Sequence, residues 1–234
     1  RKGDLPDLEG PVNSSELRDF YFMQEGDPQR IVDKLLRVCT ERIPQRFGFD
    51  PLNHVQVLTP MHRGLTGSIH LNQRLQEAFN PSGDTIEFKQ WQFRVGDKVM
   101  QQVNNYDKEV FNGDTGQIRE VNTETRELRV EFEHSIIPYT ASELDQLQLS
   151  YAISVHKSQG SEYAAVLLPL THHHYLMLQR NLLYTAMTRG KELFVLIGTP
   201  EAIDQAVRTV GTLTRYTALN YELAEVKRIL DKAR

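Results

Sequence analysis

The chain has 234 residues, 39% of them hydrophobic and 25% charged, and a formal net charge of -4. These values fit one globular domain with a small insertion, and they exclude a membrane span and a signal peptide, because no long apolar run exists. Cys39 is the only cysteine, which excludes an intrachain disulfide and predicts a cytoplasmic location. Its place on an apolar helical stripe with Ile31 and Leu35 predicts a packing role.

The first part of the chain alternates strand and helix patterns. Residues 1–18 are predicted to be irregular, and because they begin with Arg1 rather than methionine we expect a longer parent protein. The next patterns predict a strand at 19–23, a helix at 27–43, a strand at 54–59 and a helix at 67–79. Asp27 and Pro28 fit the start of the first helix, and Asn80 with Pro81 fits the end of the second.

From about residue 93 the pattern changes to short β-like runs separated by turn residues. Residues 115–121 and 127–132 predict a hairpin and 135–139 a further strand, which together indicate a small barrel. After residue 150 the chain shows buried parallel strands at 164–170 and 193–198, and helical patterns at 176–188, 200–209 and 219–232. The sequence therefore predicts an α/β layer interrupted by a small β insertion.

Three polar stretches near strand ends carry residues suited to chemistry. Residues 149–170 are predicted to run from a short helix, through a loop with Lys157 and Gly160, into a buried strand. Backbone amides around a glycine, with a lysine beside them, can bind phosphate, and α/β proteins hold ligands at strand ends. An ordinary polar loop with a turn glycine also fits these residues and is favoured by their chemistry alone, so both interpretations stay open.

The other two stretches allow similar pairs of interpretations. In 181–198, Arg189 ends a helix, where it could cap the helix carbonyls or reach out to a phosphate. In 57–75, a loop with Arg63, Gly64 and Gly67 leads into a helix whose N-terminal amides favour an anion such as DNA phosphate. An ordinary strand–loop–helix joint is the alternative for this third stretch.

In this order and spacing, the three stretches resemble the later motifs of superfamily 1 DNA helicases of the RecD/TraA type, which include the exodeoxyribonuclease V alpha subunit. SVHKSQGSEY (154–163) resembles motif V, LLYTAMTRGK (182–191) motif VI and VLTPMHRGLTG (57–67) motif IVa, and PQRFGFDP (44–51) is similar to the preceding linker. The resemblance implies a RecA-like second motor domain, with a parallel sheet and flanking helices, interrupted by an SH3-like β-barrel. It implies these bounds: 1–92 for the first RecA-like part, 93–145 for the insertion and 146–234 for the remainder with a C-terminal helix.

The resemblance also implies a nucleotide site. Arg189 would contact the γ-phosphate of ATP across an interdomain cleft as the catalytic arginine finger, Gly160 would offer its amide to that phosphate, and Glu162 would hold the ribose. The chain contains no G-x-x-x-x-G-K-[ST] loop, and no Walker B aspartate can be placed. We therefore expect ATP with Mg²⁺ as cofactor, metal ligands in an upstream N-terminal RecA-like domain, and no ATPase activity from this chain alone.

The implied partner is single-stranded DNA. Ser154, His156 and Lys157 would couple ATP to the DNA, although many relatives have threonine at the position of Ser154. Arg63 and Thr66 would lie near the DNA backbone. The parent is then expected to be an ATP-dependent helicase, 5′–3′ by family analogy alone, that uses its own N-terminal RecA-like domain and, in a nuclease complex, the other exodeoxyribonuclease V subunits.

Two other functions stay open: a non-enzymatic DNA-binding or protein-docking module, and the motor of a TraA-type relaxase-helicase. A peptide-docking groove needs clustered aromatics, and residues 94–138 offer only Tyr106, Phe111 and Phe132, which argues against docking. Upstream sequence would separate the relaxase-linked motor from the other helicases.

Three consecutive histidines and two aromatic residues are predicted to have no direct role in binding. His172, His173 and His174 are consecutive and lack the spacing of metal ligands, so no metal site is expected. Trp91 and Phe93 are expected to pack where the insertion joins the sheet, rather than to stack on bases.

Overall fold

A parallel sheet covered by helices carries a second, antiparallel sheet; the computed structural model describes residues 18–133 and 135–210. The first elements are β1 (Phe20–Gln24), α1 (Pro28–Arg37), a π-helical turn (Val38–Arg42), α2 (Ile43–Phe47), β2 (Val55–Thr59) and α3 (Ser68–Phe79). Then come β3 (Thr85–Phe88), β4 (Trp91–Arg94), β5 (Lys98–Gln101), β6 (Thr115–Asn122), β7 (Glu127–Glu131), β8 (Ile136–Tyr139), a 3-10 helix (Ala141–Gln146) and β9 (Leu147–Leu149). The last are β10 (Ala152–Ser154), a 3-10 turn (His156–Ser158), β11 (Tyr163–Leu170), a 3-10 helix (His172–Met177), α4 (Arg180–Met187), β12 (Gly190–Gly198) and α5 (Pro200–Arg208).

The parallel sheet has the strand order β1-β12-β11-β2-β10. The apolar runs at 164–170 and 193–198 lie in β11 and β12, which pair in parallel, so the prediction of buried parallel strands is confirmed. The strand predicted at 54–59 is also confirmed, but all five residues of β2 are buried. Helices cover both faces of the sheet, so this strand has no solvent face to match its alternating sequence.

The first helix starts where its capping residues predict. Asp27 accepts a hydrogen bond of 2.9 Å from the amide of Arg30, and Pro28 occupies the first turn. Cys39 is 1% exposed and packs in the core, which confirms its packing role. The helix continues through the π-helical turn into α2, which ends at Gly48 with a φ of 71°. Much of the segment that resembles a linker is therefore helical.

The antiparallel sheet has the strand order β8-β7-β6-β5-β9. The predicted hairpin is confirmed by the pairing of β6 with β7, and the further strand by β8. A hairpin of β3 and β4 was not expected; its turn places Lys89 at a φ of 54°. Trp91 and Phe93 are 7% and 0% exposed, so both pack in the interior as predicted.

Two predictions for the second half of the chain need correction, and predictions at both ends of the chain fall outside the described residues. Residues 149–170 do not begin with a helix, because Ala152 pairs with β2 and its backbone amide and carbonyl both bond the buried Asn72 side chain, at 2.9 and 2.7 Å. The helix predicted at 176–188 is shorter, since a 3-10 helix and α4 are separated at the buried Leu178. The helix at 200–209 is confirmed by α5, whereas the predictions for 1–17 and 219–232 lie outside the described residues.

The two sheets meet at a buried carboxylate. Asp97 is fully buried and accepts hydrogen bonds from Gln76 Nε2 at 2.6 Å, Asn80 Nδ2 at 2.7 Å, the Arg94 amide at 2.7 Å and the Tyr151 hydroxyl at 2.9 Å. Burial raises the pKa of Asp97, although these four donors act in the opposite direction. Asp97 thus ties α3, the end of β4 and the segment before β10 to one point.

No helix within residues 18–133 and 135–210 combines the length and the apolar character needed to cross a bilayer.

Candidate nucleotide and DNA site

The loop between β10 and β11 connects opposite edges of the parallel sheet. Ser154 lies beside Thr59 at the carboxyl-terminal ends of β10 and β2, whereas Tyr163 lies beside Gly190 at the amino-terminal ends of β11 and β12. Since β10 and β11 run in the same direction, the loop 155–162 must return across the sheet. The predicted site residues therefore form two groups, one at each edge.

The group at the amino-terminal edge contains Arg189. Its Nη1 donates to the carbonyl of Ser161 at 2.9 Å, its Nε donates to the carbonyl of Thr185 at 3.3 Å, and its Nη2 donates to Thr188 Oγ1 at 3.2 Å. The Arg189 carbonyl in turn accepts from the amide of Tyr163 at 2.8 Å. The helix-capping interpretation is thus observed, and the same guanidinium is tied to the neighbouring loop.

Gly160 and Glu162 flank Ser161 in that loop. Gly160 has a φ of 89°, which favours glycine, and a Cβ at this position would meet no atom within 4 Å, so the backbone faces open space. Glu162 pairs with Lys191 at 3.1 Å, with side chains 53% and 59% exposed. Such an exposed pair contributes little to stability, so either partner can exchange it for a ligand at small cost.

Two predicted residues lie in the 3-10 turn between the edges. His156 is exposed and lines a small cavity of about 80 Å³ together with Met177 and Asn181, at the start of α4. The Lys157 amide donates to Ser154 Oγ at 3.3 Å, and its ammonium donates to the side-chain oxygen of Gln102, just after β5. Partial burial lowers the pKa of Lys157.

The loop between β2 and α3 holds Arg63 exposed at the carboxyl-terminal edge. The first backbone amides of α3 were expected to be free to bind an anion, and this prediction is wrong. The amide of Ser68 donates to Met61 O at 2.9 Å and that of Ile69 to His62 O at 3.2 Å, so the loop's own carbonyls satisfy them. A Cβ on Gly67 would lie 2.4 Å from the Arg63 carbonyl oxygen, which explains a glycine there.

Thr66 is 6% exposed and is held on both sides. Its carbonyl accepts from Thr59 Oγ1 at 2.6 Å, and its Oγ1 lies 2.9 Å from His174 Nε2. Nδ1 of His174 accepts from the amide of Thr171 at 3.2 Å, which leaves the hydrogen of a neutral ring on Nε2, pointing at Thr66. Thr66 therefore fixes the loop beside Arg63.

The described residues combine a cation with an open backbone position at the amino-terminal edge. Arg189 supplies a cation, and Gly160 lies beside it with open space in front of its backbone. Within residues 18–133 and 135–210, no group of three or more His, Cys, Asp or Glu side chains is arranged to hold a metal ion.

Some residues of this region could not be found from the sequence. Gln102, Ser161 and His174 are recognised only through partners that lie far along the chain, namely Lys157, Arg189 and Thr66. No motif contains Gln102 or His174, and Ser161 contributes only a backbone carbonyl, which any residue has.

Two family models match the chain. The model described as ATP-dependent RecD-like DNA helicase SH3 domain matches residues 71–132, and that of the UvrD-like helicase C-terminal domain matches residues 149–197. The second match contains the loop 155–162 and Arg189, which is bonded to Ser161 near the end of that loop.

Individual proteins are similar as well. An ATP-dependent RecD2 DNA helicase from Deinococcus radiodurans is 43% identical over 148 residues, 63% of this chain and 20% of that protein. A RecBCD enzyme subunit RecD from Mycobacterium tuberculosis is 27% identical over 214 residues, 88% of this chain and 36% of that protein. The chain thus spans about a fifth to a third of the length of these relatives.

Among solved structures, one of Pif1 helicase from Bacteroides in complex with ADP-AlF3 and ssDNA covers 87% of this chain and 54% of its own, at 15% identity and a TM-score of 0.49. The chain thus carries a RecD-like helicase SH3 domain and a UvrD-like helicase C-terminal domain, and it is similar to RecD-like DNA helicases over part of their length.

Proposed function

We propose that this chain is the C-terminal motor domain of an ATP-dependent DNA helicase and that it supplies one side of the ATPase site and part of a track for single-stranded DNA. The supporting observation is the loop 155–162, which starts beside Ser154 at one sheet edge and ends beside Arg189 at the other. One short segment thus connects two groups of polar residues.

At the amino-terminal edge, Arg189, Gly160 and Glu162 form the proposed nucleotide side. The Arg189 guanidinium would leave its carbonyl partners to stabilise charge on the transferred phosphoryl group, as an arginine finger does. Glu162 would release Lys191 and accept from ribose hydroxyls. ATP is the proposed energy source, with Mg²⁺ held by residues outside the described part, in an N-terminal RecA-like domain.

At the carboxyl-terminal edge, Arg63, Thr66 and Ser154 form the proposed DNA side, and His156 and Lys157 continue it along the loop. Arg63 is exposed and cationic, whereas the buried Thr66 would hold the loop backbone rather than bind phosphate through its hydroxyl. A movement of the loop on DNA binding would reach Gly160 and Ser161, and coupling between two binding sites is reciprocal.

We assign the RecA-like domain to 1–92 and 146–234 and the insertion to 93–145, in a cytoplasmic protein that moves 5′ to 3′ on DNA. If the parent protein resembles RecD, which is named as a RecBCD subunit, rather than RecD2, it would assemble with the other subunits of an exodeoxyribonuclease V complex.

The test compares phosphate release by this chain with that of the full-length protein, each with and without excess single-stranded DNA. We expect DNA-stimulated turnover by the full-length protein and none by the chain. Robust turnover by the pure chain, or a full-length protein without DNA-stimulated ATPase, would contradict the proposal.

One observation favours the docking alternative. Tyr106 and Phe111 are 74% and 43% exposed, and their rings pack edge to face at 5.9 Å. Phe132 is only 9% exposed, so it cannot extend this pair into a peptide groove. Two aromatics with acidic neighbours, Asp107 and Glu109, form too small a surface to outweigh the helicase assignment.

A further inference from the structure

Strand β5 of the antiparallel sheet has two faces that serve different parts of the molecule. Val99 packs with the core of the antiparallel sheet, and Gln101 accepts from the Tyr139 hydroxyl at 2.8 Å. Since side chains alternate along a strand, Lys98, Met100 and Gln102 point the other way. Met100 is 1% exposed and belongs to the core formed with Ile153 and Val155 of the parallel sheet, so this second face lies against the motor.

Lys98, at one end of this face, contacts Tyr163, the first residue after the loop 155–162. Its ammonium donates to the side-chain oxygen of the buried Gln56 at 3.0 Å and lies 5.8 Å from the centre of the Tyr163 ring. Tyr163 follows Glu162, and its amide donates to the Arg189 carbonyl. This contact therefore reaches the proposed nucleotide side.

Gln102, at the other end, contacts the start of the loop. Its side-chain oxygen accepts from the Lys157 ammonium, while its Nε2 donates to Met100 O at 3.0 Å and its amide donates to Gln146 O at 2.7 Å. The bond from Nε2 to Met100 settles which way the amide group faces, so the oxygen is aimed at Lys157 before any ligand arrives. Lys98 in β5 and Gln102 just after it, about 13 Å apart along the chain, thus contact Tyr163 directly after the loop and Lys157 near its start.

We infer that Gln102 is a positioning residue for Lys157, and that β5 holds the loop 155–162 in the conformation that couples DNA to the nucleotide side. This inference rests on the proposed function. The antiparallel sheet then does more than add a module to the motor: it sets where the Lys157 ammonium stands. Without the Gln102 oxygen, the Lys157 side chain, with four carbons and three free donors, has many orientations. Ordering it on a DNA phosphate then costs more conformational entropy than when Gln102 holds it.

The experiment uses the full-length protein with Gln102→Ala, Lys157→Ala and the double variant, and measures ATPase rates with and without single-stranded DNA. We expect Gln102→Ala to lower DNA stimulation about fivefold to tenfold, the effect of one hydrogen bond to a charged group at a half-buried site. On the Lys157→Ala background the same substitution should have no further effect, because the two residues act through one contact.

Gln102→Glu provides the rescue, because it keeps an acceptor beside Lys157. It should retain most of the stimulation at saturating DNA but need more DNA to reach it, since the carboxylate competes with phosphate for the ammonium. Gln92→Ala is the matched control: this exposed glutamine on β4 contacts Glu87 and Arg94 within its own region. It should behave like the wild-type protein.

The inference is overturned if Gln102→Ala lowers DNA stimulation of the ATPase equally with Lys157 and on the Lys157→Ala background. It is also overturned if the loss of stimulation only follows a fall in melting temperature. If DNA stimulates the ATPase of the wild-type protein and of Gln102→Ala equally, the inference is overturned while the proposed function stays intact. A wild-type protein without DNA-stimulated ATPase would instead reject the proposed function itself.

Discussion

The guanidinium of Arg189 is bonded to the Ser161 carbonyl at 2.9 Å, so the end of α4 and the loop 155–162 form one unit at the amino-terminal edge of the sheet. The sequence offered a choice between a helix cap and a phosphate ligand, and the two are compatible. Bonds to Thr185 and Ser161 carbonyls orient the side chain, and either bond can be exchanged for a stronger, charge-assisted bond to phosphate.

The first prediction concerns Arg189→Ala in the full-length protein. We expect ATP turnover to fall on the order of a thousandfold while ATP binding survives, because an arginine finger acts mainly on the transition state. Arg189→Lys should restore little, since an ammonium cannot reproduce the planar fork that spans two acceptors. The measurements are steady-state ATPase and nucleotide binding. Normal turnover with a lowered melting temperature would show that Arg189 is only a cap.

The second prediction concerns Asp97→Ala and stability. Removing the carboxylate leaves four buried or half-buried donors around Asp97 without their acceptor, so we expect a loss of about 3 kcal/mol or more in the free energy of unfolding. The exposed Asp107 provides the control, and Asp107→Ala should change stability by less than about 0.5 kcal/mol. Urea unfolding followed by fluorescence measures both. A loss below about 1 kcal/mol for Asp97→Ala would mean that water replaces the carboxylate.

The third prediction concerns pH and Lys98. Burial lowers the pKa of Lys98 to about 8, with a smaller opposing effect of Asp50. Between pH 8 and the ordinary lysine value of about 10.4, the unfolded chain binds a proton that the folded chain has released, so folding stability rises with pH across this window. Below pH 8 both states are protonated, and the cost of burying the charge is present in full.

Unfolding free energies of the wild type and of Lys98→Met, measured from pH 7 to 10, test this sign. The wild type should gain relative to the variant by at most about 3 kcal/mol, because a tenfold change in proton affinity corresponds to about 1.36 kcal/mol and the side chain keeps some contact with water. Lys89→Met, at an exposed turn, should show no such trend. A difference that stays flat or shrinks as pH rises would contradict the prediction.

The fourth prediction concerns the bond between Thr66 and His174. Thr66→Val keeps the side-chain shape but removes the acceptor of the His174 Nε2 hydrogen, so we expect a loss of about 1 kcal/mol in stability. The effect should be local, with faster hydrogen exchange of the Gly67 and Ser68 amides. Thr123→Val, in an exposed turn of the antiparallel sheet, is the control. Unchanged exchange at Gly67 and Ser68 would indicate that the loop is held without this bond.

Much of the fold could be predicted because its elements depend on local sequence. Neighbouring residues in the chain determine three of these features: the apolar runs of the buried strands, the Asp27–Pro28 cap, and the hairpin of β6 and β7. The error at residues 149–154 has a tertiary cause. A three-residue strand has no pattern of its own, and β10 exists because β2 and the Asn72 side chain bond its backbone.

The residues of the candidate site could be proposed from sequence motifs, but their arrangement could not. Sequence order suggested that His156, Lys157, Gly160 and Glu162 share one small loop, and the structure shows that this loop crosses between sheet edges. The amides at the start of α3 were misjudged because the carbonyls that satisfy them belong to the preceding loop, whose path cannot be read from composition.

The two-faced strand β5 also limits what protein engineering can do with this chain. An insertion that only touched its host could be excised and replaced by a short linker, or exchanged with that of a relative. Here excision would also remove Met100 from the core beside Ile153 and Val155, and would leave Gln56 without the lysine that bonds its side-chain oxygen. A chimaera that keeps the motor of this chain must therefore keep the face of β5 that lies against the motor, whatever the rest of the antiparallel sheet.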